Sequence, residues 1–455
     1  MMAGSAVGLA FTPAPWRLVR DSALWSENWP GIPRPARGPI TFKTTHCALC
    51  PAGCAVRARC VGDQPVSLAG VNGGLCVAGV TGHQLPYYPE RVKQGPVEEA
   101  RAEIAKVDAT ARVAVLDLRP GRTASALYRR AMALAPNGIY LAPAQPRVLV
   151  NLAAAKTILS LGAPLLDGWV APAEAFAVRE RFRLVQVEPV LSRTASLANE
   201  WLTEADASKL ARQLDGPVLV IDSEMSPAVV ALNKELGGWG KTIIAREDAP
   251  GAPVESVEDA SIRVLYIDES NPGEYIPWPV IEPKLANNAV VIAFTWSREG
   301  YARHAHFVLP TAVYPEALDD LPNGRVITPL LKPPQWVVDP VEFIAKANLA
   351  DSLKDHEAPT RPAGFLDVNV GAPATCPISS KAHEESNLLL AARQVAMHPA
   401  SGLAHGSRAF LQTSRGKLPV EIVRDPGIPP GNLRYLPTPE VLDLCWQEDP
   451  KVVRA

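Results

Sequence analysis

The sequence predicts an α/β protein with mostly parallel sheets that are covered on both faces, preceded by a small cysteine-rich domain. Short runs of Val, Ile and Leu recur along the chain, and helical stretches separate most of them. Five of the seven cysteines fall within 30 residues near the amino terminus. The chain has 455 residues, 47% of them hydrophobic, so we expect several folded units with substantial cores.

Charge and hydropathy exclude two classes of function. The chain carries 45 Lys and Arg against 47 Asp and Glu, and this balance gives no electrostatic basis for binding nucleic acid. No run of 18 apolar residues is present, so no transmembrane helix is predicted. Proline, with 45 residues, is about twice as frequent as usual, which indicates stiff, irregular connections.

The amino-terminal segment allows two interpretations. MMAGSAVGLAFTPAP is apolar and small, like the hydrophobic half of an export signal, yet Arg17 is the first basic residue. It is either part of a twin-arginine signal whose basic portion lies upstream, or an apolar tail packed on the protein or a partner. The proline-stiffened segment that follows contains Trp16, Trp25 and Trp29 and predicts an extended arm.

The predicted elements follow in chain order. A β-hairpin over residues 56–70 turns at Gly62-Asp63, helices are expected over 97–107 and 123–135, and a second hairpin is expected over 408–423, turning at Arg415-Gly416. The hydrophobic runs that predict strands are 112–118, 147–152, 183–189, 217–222, 263–269 and 289–294. Residues 350–400 are rich in proline and polar residues and predict a connection.

The cysteine spacing indicates a metal centre. Cys47-x2-Cys50-x3-Cys54-x21-Cys76 places three thiols on one loop, and the hairpin returns the chain to supply the fourth. Four thiolates can hold one [4Fe-4S] cluster. Structural zinc or an empty site is the alternative, although zinc sites commonly use two paired CxxC units and only one is present. Three further thiols are predicted to be structural: Cys60, which alternates with apolar residues, and the isolated Cys376 and Cys445.

Several sequence blocks resemble the molybdopterin oxidoreductase family in the family's own order. CALCPAGC, GGLCVAG and YYPERVKQGP are similar to its amino-terminal cluster domain. LSLGAPLLDGW, VQVEPVLSRTASLANEWL, DESNPGEYIP and SREGYARHAHFVLPTAVYPE resemble its two nucleotide-binding-like halves, and SRGKLPVEIVRDPGIPPGNL resembles a fragment of its carboxy-terminal β domain. The resemblance implies a small iron-sulfur domain, then Rossmann-like doubly wound α/β halves and a reduced C-terminal β segment.

The resemblance implies five regions. They are an amino-terminal export-like or extended arm over 1–40, a [4Fe-4S] domain over 41–100, a first α/β half over 101–210, a second α/β half over 211–345, and a linker with a reduced β domain over 346–455. The motifs cover residues from about 42 to 435.

The sequence also departs from the family pattern. Ala78 stands where the family has a lysine between cluster and pterin, and the segment between residues 118 and 147 contains no evident ligand for molybdenum. We therefore expect the chain to resemble the molybdopterin-binding-like subunits of menaquinone reductase and alternative complex III type complexes, with the pterin site lost. The arm sequence DSALWSENWP is similar to the menaquinone reductase type.

This resemblance implies a non-catalytic electron-transfer or scaffold subunit of a membrane-associated, quinone-linked respiratory complex. Its expected partners are a ferredoxin-like iron-sulfur subunit, a polytopic quinone-binding membrane subunit and, as a further candidate, a multihaem cytochrome c. The expected location is the periplasmic face of the membrane, with the cytoplasm as the alternative. The competing hypotheses are a reduced but active molybdopterin enzyme and a purely structural protein with a zinc or empty cysteine site.

Four other motifs favour structural roles. His304 and His306 are predicted to share one strand face, Gly237-Gly238-Trp239-Gly240 to form a turn, and Asp319-Asp320 to form a solvated turn. Gly162 and Ser192-Arg193-Thr194 are interpreted as retained fold elements.

Overall fold

The computed structural model describes residues 37–50, 52–71, 73–143, 148–246, 251–322, 324–354, 362–368, 390 and 392–455. All structural statements below refer to these residues. The predicted amino-terminal arm, Cys376 and most of the 350–400 connection lie outside them. Within the described part, no helix is both long enough and apolar enough to cross a membrane.

The described elements alternate between strands and short helices. The strands are β1 Ile40–His46, β2 Ala55–Val61, β3 Gln64–Gly70, β4 Arg112–Asp117, β5 Gly138–Leu141, β6 Val148–Val150, β7 Thr157–Leu161, β8 Arg183–Val187, β9 Glu200–Leu202, β10 Val218–Asp222, β11 Ile243–Ala245, β12 Ile262–Glu269, β13 Leu285–Thr295, β14 Phe307–Pro310, β15 Asp319–Asp320, β16 Val326–Ile327, β17 Leu366–Asp367, β18 Gln394–Met397, β19 Arg408–Thr413, β20 Gly416–Arg424, β21 Leu433–Tyr435 and β22 Lys451–Arg454. The α-helices are α1 Val77–Thr81, α2 Val97–Ala105, α3 Thr123–Leu134, α4 Pro172–Ala177, α5 Arg193–Ser196, α6 Ala207–Gln213, α7 Pro227–Glu235, α8 Trp278–Ile281, α9 Pro340–Ala345, α10 Leu349–Ser352 and α11 Pro439–Leu444.

The central sheet is parallel and has the order β14-β13-β12-β4-β5. Its strands are apolar on both faces, and each face packs on its own buried cluster. This arrangement confirms the predicted α/β class with doubly covered parallel strands. The chain leaves β4 toward β5 on one side and reaches β12 on the other, so a topological switch point lies between β4 and β12.

A second parallel sheet, β10-β7-β8-β9, is inserted between β5 and β12. It surrounds a separate core that includes Trp169. The strands of the predicted first half, 101–210, are thus divided among three sheets: β4 and β5 lie in the central sheet, β7, β8 and β9 in the second parallel sheet, and β6 in a third. The short strand β6 does not join either parallel sheet but pairs antiparallel with β11 and β17.

The cysteine-rich domain contains the antiparallel sheet β1-β2-β3. Its β2-β3 hairpin turns at Gly62-Asp63, as predicted, and Gly62 has the positive φ of +59° that favours glycine at a tight turn. Along β2, Val56, Ala58 and Cys60 are fully buried while the arginines between them are exposed. This alternation confirms the packed-thiol interpretation of Cys60.

The carboxy-terminal segment forms the sheet β21-β18-β20-β19-β22. The predicted hairpin is confirmed: β19 and β20 pair antiparallel, from Arg408 opposite Glu421 to Thr413 opposite Gly416. The turn is formed by residues 414 and 415, one position before the predicted one. This segment docks on the central domain through Asp443, whose carboxylate accepts hydrogen bonds from Tyr275 Oη (3.0 Å) and the Trp278 amide (2.8 Å).

The prediction that His304 and His306 share one strand face is wrong, because β14 begins only at Phe307. His304 ends a short 3-10 helix, stacks on Trp278 and lies 3.2 Å from Asp443 Oδ2. His306 instead accepts a hydrogen bond from the Val291 amide. The two imidazoles have separate structural partners. The glycine motif at 237–240, by contrast, does form the predicted turn after α7.

Candidate metal centre

Three of the four predicted ligands lie on a tight loop between β1 and β2. The Cys47 amide donates to the Cys54 carbonyl (2.9 Å), and the Gly53 amide donates to the Cys50 carbonyl (3.3 Å). Gly53 has φ of +59°, a conformation that a side chain would strain. The loop therefore closes on itself, and all three thiols are buried.

Cys76 supplies the fourth thiol from the amino terminus of α1. It is the N-cap residue of this helix, and its Sγ accepts a hydrogen bond from the Gly79 amide (3.4 Å). Gly168, with φ of +110°, lies close by: a Cβ at this position would be 3.6 Å from the Cys76 Cβ. Because Gly168 has no side chain, it does not crowd Cys76 on this side. The Gly79 amide can stabilise negative charge on the Cys76 sulfur.

The four thiols interact electrostatically. Burial, followed by the charge of Cys76, raises the pKa of Cys50 to about 12. Burial and the charges of the other cysteines also raise the pKa of Cys47 and of Cys54 well above the usual range. Hydrogen bonds from the backbone of Ala52 and Gly53 partly oppose the shift at Cys50. Without a bound cation, Cys47, Cys50 and Cys54 therefore remain protonated at neutral pH.

A metal group would reverse this protonation. Thiolates are the metal-binding form of cysteine, so binding must release the protons, and a cation among the sulfurs offsets their mutual repulsion. Three buried thiols and the partly buried Cys76 interact electrostatically with one another, and Cys47, Cys50 and Cys76 accept backbone N–H bonds; this donor set fits a [4Fe-4S] cluster by its chemistry. Among the residues described, no group of three or more His, Cys, Asp or Glu is arranged to hold a single metal ion.

Two arginines hold the cysteine loop from different sides. Arg325 Nη1 donates to the carbonyls of Ala52 (3.2 Å) and Gly53 (2.7 Å), and its Nη2 pairs with Glu174. Arg119 Nη1 donates to the Ala48 carbonyl (2.9 Å). Ala78, two residues after Cys76, is buried and brings no charge to this region. Sequence reasoning did not identify either arginine, since each contact spans at least 71 residues.

A second polar cluster lies at the carboxyl edge of the central sheet. Arg122 donates to Asp268 (2.8 Å), Asp319 (3.1 Å) and Asp117 (3.2 Å), and all four side chains are buried. Asp320 accepts from the Thr123 amide and hydroxyl. We call these residues, Asp117, Arg122, Thr123, Asp268, Asp319 and Asp320, the acidic cluster.

The prediction that Asp319-Asp320 forms a solvated turn is therefore wrong. The two residues form strand β15, which pairs with β16, and they are 5% and 1% exposed. Their partners are 197 residues away in the sequence, which explains why local polarity misled the prediction. The sequence does contain one signal for this cluster: the hydrophobic runs of β4 and β12 each end in an aspartate, Asp117 and Asp268. The carboxyl ends of neighbouring parallel strands meet at one edge of the sheet, so these two side chains are expected to lie close together.

A cavity of about 230 Å³ lies beside the acidic cluster. Its lining includes Arg122, Asp268 and Asp319, together with Asn271 and Asn348. Burial raises the pKa of Asp319 to about 6 despite the attraction of Arg122. The cavity occupies the switch-point edge where open α/β sheets bind ligands. Its wall is largely apolar, and its charged lining residues are the carboxylates of Asp268, Glu316, Asp319 and Asp339 against the guanidinium of Arg122.

The remaining predicted residues have structural surroundings. Gly162 has φ of +73° at the end of β7, where open space surrounds it. Ser192 caps α5 through the Ala195 amide, and the Thr194 hydroxyl accepts from the Leu166 amide. Cys445 is half-buried at the end of α11.

Comparison with known proteins gives one curated relative and a structural likeness. No protein-family model matches the chain. A stretch of 97 residues is 34% identical to the molybdopterin-binding-like subunit of menaquinone reductase from Nitratidesulfovibrio vulgaris. It covers 20% of this chain and only 14% of that subunit, far less than two thirds of its length.

The fold is similar to that of acetylene hydratase from Pelobacter acetylenicus. The TM-score is 0.59 at 11% identity, and the likeness covers 86% of this chain and 92% of the other. At this identity the likeness establishes the fold and no activity. The sequence similarity is thus to part of a subunit described as molybdopterin-binding-like, and the structural likeness shows a shared fold.

Proposed function

We propose that this chain is an iron-sulfur electron-transfer or scaffold subunit of a membrane-associated, quinone-linked respiratory oxidoreductase complex. The observation that carries the proposal is the convergence of Cys47, Cys50, Cys54 and Cys76 in one largely buried pocket with backbone donors to the sulfurs. These residues would hold one [4Fe-4S] cluster, which supplies one-electron transfer. The similarity to a menaquinone reductase subunit supports the respiratory context.

We further propose that no molybdenum-pterin cofactor is bound. A pterin dinucleotide carries a pyrophosphate, and an anion is disfavoured where buried carboxylates prevail. At the switch point of the central sheet, Arg122 already forms ion pairs with three carboxylates, those of Asp117, Asp268 and Asp319. The residues at this edge therefore fit an anionic dinucleotide poorly. The same observation weighs against the alternative of a reduced but active molybdopterin enzyme.

Metal analysis of the chain purified without oxygen tests both proposals. About four iron atoms and four labile sulfides per chain, with visible absorbance that bleaches on adding dithionite, are expected for the cluster. Stoichiometric molybdenum or tungsten would contradict the loss of the pterin site. One zinc per chain without visible absorbance would instead support the structural-protein alternative.

The proposed partners are a ferredoxin-like iron-sulfur subunit and a polytopic quinone-binding membrane subunit, with a multihaem cytochrome c as a further candidate. The proposed location is the periplasmic face of the membrane. Purification of the affinity-tagged chain from mild detergent extracts of its native cells tests this. Co-purification of a polytopic protein with menaquinone supports the assignment, and recovery of the chain alone from the cytoplasm contradicts it.

A further inference from the structure

Arg119 projects from the carboxyl edge of the central sheet toward the cysteine loop. It follows β4 by two residues, and its amide donates to Asp117 Oδ1 (2.9 Å), which fixes the turn. The side chain is 2% exposed, and its Nη1 donates to the carbonyl of Ala48, inside the Cys47–Cys50 segment. A guanidinium is therefore buried directly against the loop that carries the thiols.

Two other donors of Arg119 are buried without an acceptor. In the part of the chain that the structure describes, Nε and Nη2 have no hydrogen-bond partner. A buried N–H of a charged group that lacks an acceptor costs on the order of 1–3 kcal/mol or more. The nearby carboxylates of Asp117, Asp268 and Asp319 accept hydrogen bonds from Arg122, and none of them accepts from Nε or Nη2 of Arg119. These two donors are therefore available to an acceptor that is not part of the polypeptide.

The charge of Arg119 also acts on the thiols. The guanidinium lies close enough to Cys50 to interact with it electrostatically. Burial and the neighbouring Arg122 lower the pKa of Arg119 only to about 10, so the guanidinium stays positive at neutral pH. Asp268 and Asp319 also interact with this charge. A buried cation this close to the cysteine loop nevertheless interacts with any charge placed on the sulfurs.

We propose that Arg119 is the buried cation that hydrogen-bonds the cysteine-held cluster from its Cys50 side and raises the cluster's reduction potential. The inference rests on the proposed function and deepens it. Reduction adds one electron, here from dithionite, and makes the cluster with its thiolates more negative by one charge without breaking a bond. A fixed cation stabilises the reduced form more than the oxidised form, so it shifts the potential upward.

The test compares variants of the full chain purified without oxygen. Arg119→Met removes the charge and all donors, Arg119→Gln removes the charge but keeps an NH₂ donor group, and Arg119→Lys keeps the charge. Arg112→Met is the matched control, because it removes a positive charge from the opposite end of the same strand, roughly 20 Å away. Iron content, visible absorbance and a reductive titration followed by electron paramagnetic resonance are measured for each.

We expect the Met and Gln variants to have potentials more negative than wild type, with Lys and the Arg112 control close to wild type. Iron-free wild-type protein would contradict the proposed function itself. Iron-loaded protein with equal potentials in wild type and Arg119→Met would overturn only the role of Arg119. If the Met variant loses its iron, the Gln and Lys variants decide: equal potentials in these two also overturn the proposal.

Discussion

Arg325 Nη1 donates to the carbonyl of Gly53 at 2.7 Å and so connects the residue before Cys54 to a segment 272 residues further along the chain. The same segment contacts β1, where the Thr45 hydroxyl donates to the Thr328 carbonyl (2.8 Å) and the Thr328 amide donates back (3.0 Å). The cysteine loop is therefore held by a distant strand as well as by its own turn. Its geometry depends on completion of the fold around residue 325.

Replacing Arg325 should loosen the loop without removing a ligand. In Arg325→Ala, the carbonyls of Ala52 and Gly53 lose their donor, and we expect iron to be lost to a chelator several-fold faster than from wild type. Arg415→Ala is a matched control, because Arg415 has nearly the same exposure (37% against 36%) and also pairs with a glutamate. Equal rates of chelation in the two variants would show that Arg325 does not support the site.

Single cysteine replacements should separate ligands from packed thiols. Cys54→Ala removes one proposed ligand, so we expect it to lose most of its iron and visible absorbance. Cys60→Ala leaves a small cavity in the β1-β2-β3 sheet and should cost on the order of 1 kcal/mol of stability while retaining iron. Iron per chain, measured after anaerobic purification, checks both. Retention of iron by Cys54→Ala would exclude Cys54 as a ligand.

Local patterns predicted elements whose pairing is local, and failed where the partners are distant. The β2-β3 and β19-β20 hairpins followed from alternation and a turn signal, because the strands that pair are neighbours in sequence. The roles of Asp319, Arg119 and Arg325 depend on contacts across 71 to 273 residues, which no local pattern encodes. The mutual proximity of the cysteines was predictable since their chemistry requires it, whereas their supporting arginines were not.

Glu269 should make stability decrease as the pH rises. Its carboxyl accepts from the Tyr301 amide, and burial raises its pKa to about 8 from an ordinary value near 4.5. Between these values, the unfolded chain ionises while the folded chain retains the proton. The folded state therefore loses stability between about pH 4.5 and pH 8. The loss is at most about 1.4 kcal/mol for each unit by which the pKa of Glu269 in the folded chain exceeds that in the unfolded chain.

Thermal unfolding at pH 5 and pH 8.5 checks this relationship. Wild-type protein should lose more thermal stability between the two pH values than Glu269→Gln, which cannot ionise. Glu235→Gln is the control, because Glu235 is an exposed partner of Arg212. If Glu269→Gln and wild type show parallel pH profiles, the carboxyl is not protonated in the folded chain.

Arg122 should be among the residues most costly to replace. Its guanidinium pairs with three buried carboxylates, those of Asp117, Asp268 and Asp319. Arg122→Met leaves these charges without their counter-ion, so we expect a loss of about 3–5 kcal/mol at neutral pH. The loss should shrink at acidic pH, because unpaired buried carboxyls can then take up protons and become neutral.

A double variant distinguishes charge from packing at this position. The double variant Arg122→Met with Asp319→Asn removes one of the three carboxylates that Arg122→Met leaves unpaired. It should therefore recover part of the stability that Arg122→Met loses. If the loss came from packing alone, the double variant would be no more stable than Arg122→Met. Arg183→Met, which breaks an exposed pair with Glu200, should change stability by less than about 1 kcal/mol. Urea unfolding at pH 5 and pH 8 measures all three. If Arg122→Met loses the same unfolding free energy at both pH values, the carboxylates remain solvated or paired without Arg122. The acidic cluster would then not depend on this single cation.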